Sequence, residues 1–409
     1  MGKRTPLGLF EAFGVELEYM IVDSDSLKVL PIADKLLSAA GAGEAGCDVE
    51  FGPIAWSNEL ALHVVEFKTN GPRADLSGLD ADFQENVERA NALLAPFGGM
   101  LLPTGMHPTM DPDTEFKIWP HEYNEVYRTF DRIFGCKGHG WSNLQSTHIN
   151  LPFRGDAEFA ALHAAIRLIL PILPALAASS PFLDGGRGPA LDMRLACYQT
   201  NAERVPSVCG GVIPESMASK AQYEGELLGG IYRDLAELDP DGVLRHEWVN
   251  SRGCIARFDR MAIEIRLLDI QECPRADLGI VEAVIGAVKY LCGLGNRAEQ
   301  ANFERDALVG LLQECIREGD QAQIRDNDYL TVCGLRPGSR SAIEIWQDLV
   351  ETAEVSERCR SVVGHIGEHG CLARRLVSLA GTQPTVASIE TAYREAAKRL
   401  AVGEMIGPA

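Results

Sequence analysis

The segment Phe13–Asp23 (FGVELEYMIVD) alternates so regularly that it reads as a β-strand with one apolar and one polar face. Phe13, Val15, Leu17, Tyr19 and Ile21 fall on one side; Gly14, Glu16, Glu18 and Met20 fall on the other. Three more segments read as strands that place charged or imidazole groups among apolar residues: Leu60–Thr69 (LALHVVEFKT), Ser146–Phe153 (STHINLPF) and Ala262–Ile270 (AIEIRLLDI). Helical spacing covers Asp75–Leu94, Ala157–Leu173 (broken at Pro171) and Asp277–Leu294. None of the strands is the Val/Ile-rich run that a parallel sheet buries on both faces. The expected fold is therefore α+β, with a mostly antiparallel sheet whose polar face is free for function.

After about residue 295 the strand signals nearly vanish, and Ala301–Gly319, Ser341–Ala353 and Val386–Val402 carry helical spacing. Residues 1–295 are expected to hold the sheet, and residues 296–409 to form a helical part packed on or beside it. Gly41–Gly46 and Asp184–Pro189 read as mobile loops. With 58 acidic against 38 basic residues the formal charge is −20, which speaks against nucleic acid and against a membrane surface as partners. Such an excess is ordinarily solubilising surface; it can also conceal a cluster of carboxylates that binds cations.

The 11 cysteines run singly from Cys47 to Cys371, with no C-x-x-C pair, as in a reduced intracellular chain. The N-terminal segment has no apolar run of signal-peptide length, and Leu168–Ala178 is too short and proline-broken to span a membrane. A cytoplasmic location is expected.

Glu16 and Glu18 stand side by side on one face, where like charges repel unless a cation sits between them. Taken alone they could mark a solvated edge, but they also suit Mg²⁺, which wants oxygen ligands. Glu59 and Glu66 are an odd number apart, so they share a face only if Glu59 lies on the turn before the strand or a bulge intervenes. Glu66 alone could be an ordinary outward residue. His148, flanked on its face by Ser146 and Asn150, could be a satisfied structural histidine. Glu264 and Arg266 could be no more than a neighbouring ion pair. Together the four patches say more. Acidic groups gathered on one polar face need divalent cations and a bridging polyphosphate, and an arginine among them would neutralise a phosphoryl group in transfer. ATP-dependent activation of an anion is the chemistry implied.

The motifs resemble the glutamate–cysteine ligase family, in particular its carboxylate–amine ligase branch, which shares the catalytic sheet of glutamine synthetase. They are G-x-E-x-E (Gly14, Glu16, Glu18), E-x6-E followed by a threonine (Glu59, Glu66, Thr69), a strand with His148, SPFLDGGRGPALDMR (Ser180–Arg194), and ARFDRMAIEIRLLDIQECP (Ala256–Pro274). They come in family order over about residues 10–295. The resemblance implies a curved, mostly antiparallel sheet with flanking helices. It also implies an ATP- and Mg²⁺-dependent enzyme (Mn²⁺ serving as well) that joins a carboxylate, glutamate, to cysteine or another amine. The amide, γ-glutamyl in type, would form through an acyl phosphate, and the resemblance suggests a homodimer. It implies Glu16, Glu18, Glu59, Glu66 and Glu264 as metal ligands and His148 against the nucleotide phosphates or a metal. Arg266 would face the transferring phosphoryl group, and Arg194, Arg257 and Thr69 the substrate. The branch usually carries H-x-H where this chain has His148-Ile149-Asn150.

Competing readings are a guanidino-type phosphotransferase on the same sheet and a catalytically silent nucleotide- or metal-binding relative. His365–His369 (HIGEH) matches the inverted zinc-protease pattern, but Gly364, Gly367 and Gly370 oppose the helix it needs, each by about 1 kcal/mol. A zinc peptidase therefore ranks last.

Overall fold

The computed structural model describes residues 6–43 and 46–407; Glu44 and Ala45, inside the expected Gly41–Gly46 loop, lie outside them. Eight strands form one sheet: β1 (Gly14–Asp23), β2 (Asp48–Phe51), β3 (Ile54–Asn58), β4 (Val64–Thr69), β5 (Gly99–Leu102), β6 (Ser146–Pro152), β7 (Cys254–Arg257) and β8 (Ala262–Asp269). Their order is β2-β3-β4-β1-β6-β8-β7, β5 pairs the last residues of β1, and every ladder is antiparallel. The α+β, antiparallel expectation is what forms. One strand is shorter than expected. Leu60 and Leu62 bond sideways to Trp119 and Lys117 instead of to a neighbouring strand, so β4 starts only at Val64.

Six helices matter for placing the site: α1 (Leu79–Leu94), α2 (Asn124–Phe134), α3 (Gly155–Ile169), α4 (Pro274–Gly293), α5 (Glu357–His369) and α6 (Val386–Val402). The apolar face of the sheet, with Val15, Leu17, Ile149 and Ile263, packs into one core with Phe83 and Val87 of α1, Leu162 of α3 and Val284 of α4. Helices beyond residue 295 join that same core through Trp346, Val362 and Ile366. Ser341 and Thr385 start two of those helices with capping boxes. Met20 and Val22 share the parity of Glu16 and Glu18 yet are buried, because Leu376, Ile389 and Tyr393 cover that half of β1. The polar face thus ends at Glu18, and all that remains of it is the cluster described below.

HIGEH is helical after all. Gly364 and Gly367 lie inside α5, whose Val362, Val363 and Ile366 are buried, so packing overrides the glycine penalty. His365 and His369 share a face with ring centroids 4.6 Å apart, but His365 Nε2 is 2.9 Å from the Ile406 carbonyl, and no three-ligand group forms there among the described residues. All 11 thiols are free and nine are buried. No helix among the described residues is long and apolar enough to cross a membrane.

Where α4 crosses α5, Gly279 permits the close approach: a Cβ there would stand 2.5 Å from Val362 Cγ2. Gly310, in the helix Arg305–Glu318, has nothing within 4 Å of such a Cβ. Helix propensity favours alanine at both positions, and packing decides the sign. We expect Gly310→Ala to stabilise by about 0.5–1 kcal/mol and Gly279→Ala to cost about 1–3 kcal/mol in denaturant unfolding. Shifts of the same sign would refute this account of the crossing.

Candidate active site

Strand register gathers the polar residues. Glu16 stands opposite His148 on β6 and Lys68 on β4, Glu18 opposite Glu66, and Glu264 on β8 opposite Asn150. Residues paired across an antiparallel ladder share a face, so these side chains converge. Glu59 directly follows β3, in the connection to β4, and so escapes the strand parity that would have turned it away from Glu66.

His148 is the hub. Its Nδ1 lies 3.0 Å from Glu16 Oε2 and 3.9 Å from Glu264 Oε1; its Nε2 lies 2.9 Å from Ser146 Oγ and 3.7 Å from Glu18 Oε1. Ser146 donates both its backbone N–H (2.7 Å) and its hydroxyl (2.9 Å) to Glu18 Oε2. Asn150 donates to Glu16 Oε1 at 2.9 Å. Lys68 donates to Ser57 Oγ at 2.6 Å and lies 2.9 Å from Glu66, which also accepts from the Ser57 hydroxyl at 2.5 Å. Glu264 is held between Arg257 Nη1 (2.9 Å) and Arg266 Nη2 (3.0 Å).

Burial and mutual repulsion leave this set electrostatically strained. Burial, then the charges of Glu18 and Glu66, push the Glu59 carboxyl well above the usual range. Burial and Glu16 raise Glu66 to about 7. Burial works against a charged His148, yet Glu18 and Glu16 outweigh it and push the imidazole up to about 9. Burial likewise opposes ionisation of Glu16, and the His148 hydrogen bond and charge override it, holding that carboxyl below its usual range. A proton on His148 therefore serves as the counter-charge. Glu16, His148 and Glu264 also offer ligand atoms all within 4.8 Å of one another, so a divalent cation could take that proton's place.

Two cavities flank the cluster. One, of about 230 Å³, opens on the Glu18 side and is lined by Glu59, Ser146, Arg194 and Arg266 together with several aromatic rings. The other, of about 350 Å³, lies on the Glu16 side and is lined by Gly14, Lys68, Thr69, Asn150 and Arg260. Arg194 sits on the short helix Met193–Tyr198 and is buried; its Nε donates to Asp269 Oδ1 at 2.5 Å, and its Nη2 has no partner among the described residues. Thr69 Oγ1 accepts from the Val15 N–H at 3.3 Å. Arg257 is the outlier. It pairs with Glu264, stands 3.7 Å from Glu247, and lines neither cavity.

Apart from the HIGEH segment on α5, the other residues singled out in the sequence surround this one cluster. Lys68, Ser57 and the aromatic rings were not foreseen. Lys68 could have been, since it is two residues beyond Glu66 on the same strand and so shares its face. The rings come from four separate segments with no common local pattern.

Comparison with known proteins agrees with this architecture. A model of glutamate–cysteine ligase family 2 (GCS2) matches residues 12–292. An uncharacterized protein of Archaeoglobus fulgidus is 36% identical over 308 residues, spanning 75% of this chain and 80% of that one. A crystal structure of glutamate–cysteine ligase from Francisella tularensis in complex with AMP superposes with a TM-score of 0.58 at 11% identity, over 97% of this chain and 90% of that chain, a likeness of fold.

Proposed function

The chain belongs to glutamate–cysteine ligase family 2, and from that membership we propose that it is an ATP- and Mg²⁺-dependent ligase joining the side-chain carboxylate of glutamate to an amine. The observation that carries the reading is the Glu16–His148–Glu264 group, with His148 and Glu264 buried and Glu16 half-buried, and Glu18, Glu59 and Glu66 beside it, set between two cavities. The donor set suits Mg²⁺: hard carboxylate oxygens crowded closely enough that two of them, Glu59 and Glu66, resist ionising without a cation. Bound there, Mg²⁺ would neutralise phosphate oxygens and orient them.

Each side chain then has a task. Glu16, His148 and Glu264 would hold one ion, and Glu18, Glu59 and Glu66 beside them are the carboxylates that would serve a second. Gly14, Thr69 and Asn150 line the larger cavity, which takes the nucleotide. Arg266 presents its planar guanidinium to the phosphoryl group as it transfers, leaving the donor activated as an acyl phosphate. Arg194 uses its open Nη2 to hold the free carboxylate of the donor. Arg257 orients Glu264 rather than contacting substrate. The amine then displaces phosphate to form the amide.

The reading is tested by ADP release with ATP, Mg²⁺, glutamate and a panel of amines, with product masses measured. A phosphorylated guanidine in place of an amide would favour a phosphotransferase. Metal dependence is tested separately. ATP at about 100 times its Kd stabilises a fold by about 2.7 kcal/mol. A rise in melting temperature is therefore expected with Mg²⁺ and none in EDTA; equal rises would remove the shared-metal assignment.

A further inference from the structure

The smaller cavity has two unlike walls. One is the charged cluster. The other is aromatic, built from Tyr127 and Phe130 of α2 with Trp141 and Trp248. Phe130 lies at its centre, its ring centroid 5.2 Å from that of Trp141 and 5.8 Å from that of Trp248. Trp56, Trp119 and Trp346 are fully buried, whereas Trp141 and Trp248 are only part-buried beside the open space. Rings left partly exposed along a cavity beside an acyl-transfer site invite an apolar partner.

Charge counting narrows the partner further. The basic side chains lining the cavity are Arg194, Arg266 and the His148 held among the glutamates. Arg266 already faces Glu264 and, in the ligase reading, the phosphoryl group; Arg194 spends Nε on Asp269 and keeps Nη2 for one carboxylate. Any Mg²⁺ held by the glutamates is shared with the nucleotide phosphates, so a third anion would find no free side-chain cation and would meet Glu18 and Glu59 instead. An acceptor carrying its own carboxylate would have to bury it unpaired, at a large cost.

Resting on the ligase reading, we propose that the acceptor is an apolar primary amine without a carboxylate, of the arylalkylamine class, seated against Phe130, Trp141 and Trp248. Its neutral nitrogen bonds to the acyl carbon as the bond from that carbon to the phosphate oxygen breaks. The nitrogen's proton leaves with the departing phosphate, and the products are an amide and inorganic phosphate.

Phenethylamine and L-phenylalanine differ only in the carboxylate, so they form the decisive pair. In calorimetric titration of the protein loaded with glutamate, Mg²⁺ and a non-hydrolysable ATP analogue, so that Arg194 and Arg266 are occupied, phenethylamine is expected to bind at least about tenfold more tightly than L-phenylalanine or cysteine, the cost of an unpaired buried carboxylate. Trp248→Ala should weaken phenethylamine binding by about tenfold with the circular dichroism spectrum unchanged. Phenylalanine or cysteine binding as tightly as phenethylamine overturns the inference. With ATP, Mg²⁺ and glutamate added, phenethylamine should yield an amide of the expected mass. Binding with no amide from any amine keeps the amine site and refutes the ligase reading. Amide formed from cysteine in preference to phenethylamine keeps the ligase and refutes the amine.

Discussion

Metal-dependent ADP release is expected to fall by about 10²–10³-fold in Glu264→Gln and again in Arg266→Lys, with the fold retained in both. Glu264 is almost fully buried and is the only carboxylate here clasped by two guanidinium groups. Glutamine keeps its volume but presents one acceptor where the carboxylate presented two, and it is a poor Mg²⁺ ligand. The orphaned contact should cost about 1–3 kcal/mol of stability, moderated because Arg257 retains Glu247 at 3.7 Å. Arg266→Lys keeps the charge but loses the planar fork, so a phosphoryl group spread over three oxygens is no longer matched. ADP release and unfolding, measured on both variants, separate this from a simple ion pair. An ion pair would leave turnover alone and cost under about 1 kcal/mol. Near-wild-type turnover in either variant would remove the assignment.

Much of the cluster was legible because a strand's two-residue period is a strong geometric statement. Glu16 with Glu18, and Glu264 with Arg266, had to share faces once their segments were strands; the ladders place the first pair as that period required, while Arg266 sits at a register shift between Ile265 and Leu268 and still reaches Glu264 at 3.0 Å. Glu59 was legible only as a condition, since nothing local distinguishes a turn from a bulge. β2 and β3 escaped notice because DVEF and IAWSN are short, and β3 is buried along its whole length, which erases alternation. Local propensity misjudged α5, where tertiary packing outweighs two interior glycines. The aromatic wall was beyond sequence reading altogether: Phe130, Trp141 and Trp248 meet only after the chain has folded. Arg194 was read as facing a carboxylate, but its Asp269 partner was not, because a strand aspartate carries no sign that it will be buried.

That partner carries the other large expected effect. Asp269 is wholly buried at the end of β8 and accepts from Arg194 Nε at 2.5 Å, the Ser179 N–H at 2.8 Å and the Ser180 hydroxyl at 2.7 Å. Gly105 makes room for it: a Cβ there would stand 2.4 Å from the Asp269 carboxyl carbon. Burial opposes the charge on Arg194, and Asp269 more than restores it. Asp269→Asn would leave a buried guanidinium without its counter-ion, a loss of about 3–5 kcal/mol where no substitute exists. A substitute does exist in part. Asp192, whose carboxyl burial and then the Asp269 charge push well above the usual range, would ionise more readily once Asp269 is neutral, and it also faces Arg194. Asp269→Asn alone should therefore fall short of the full penalty, while Asp192→Asn with Asp269→Asn should exceed the sum of the two single losses. Because Arg194 is the residue assigned to the donor carboxylate, Asp269→Asn should also raise the KM for that substrate more than it lowers kcat. Strictly additive unfolding energies, or a KM unchanged in a folded Asp269→Asn protein, would show that Asp269 braces the fold without aiming Arg194.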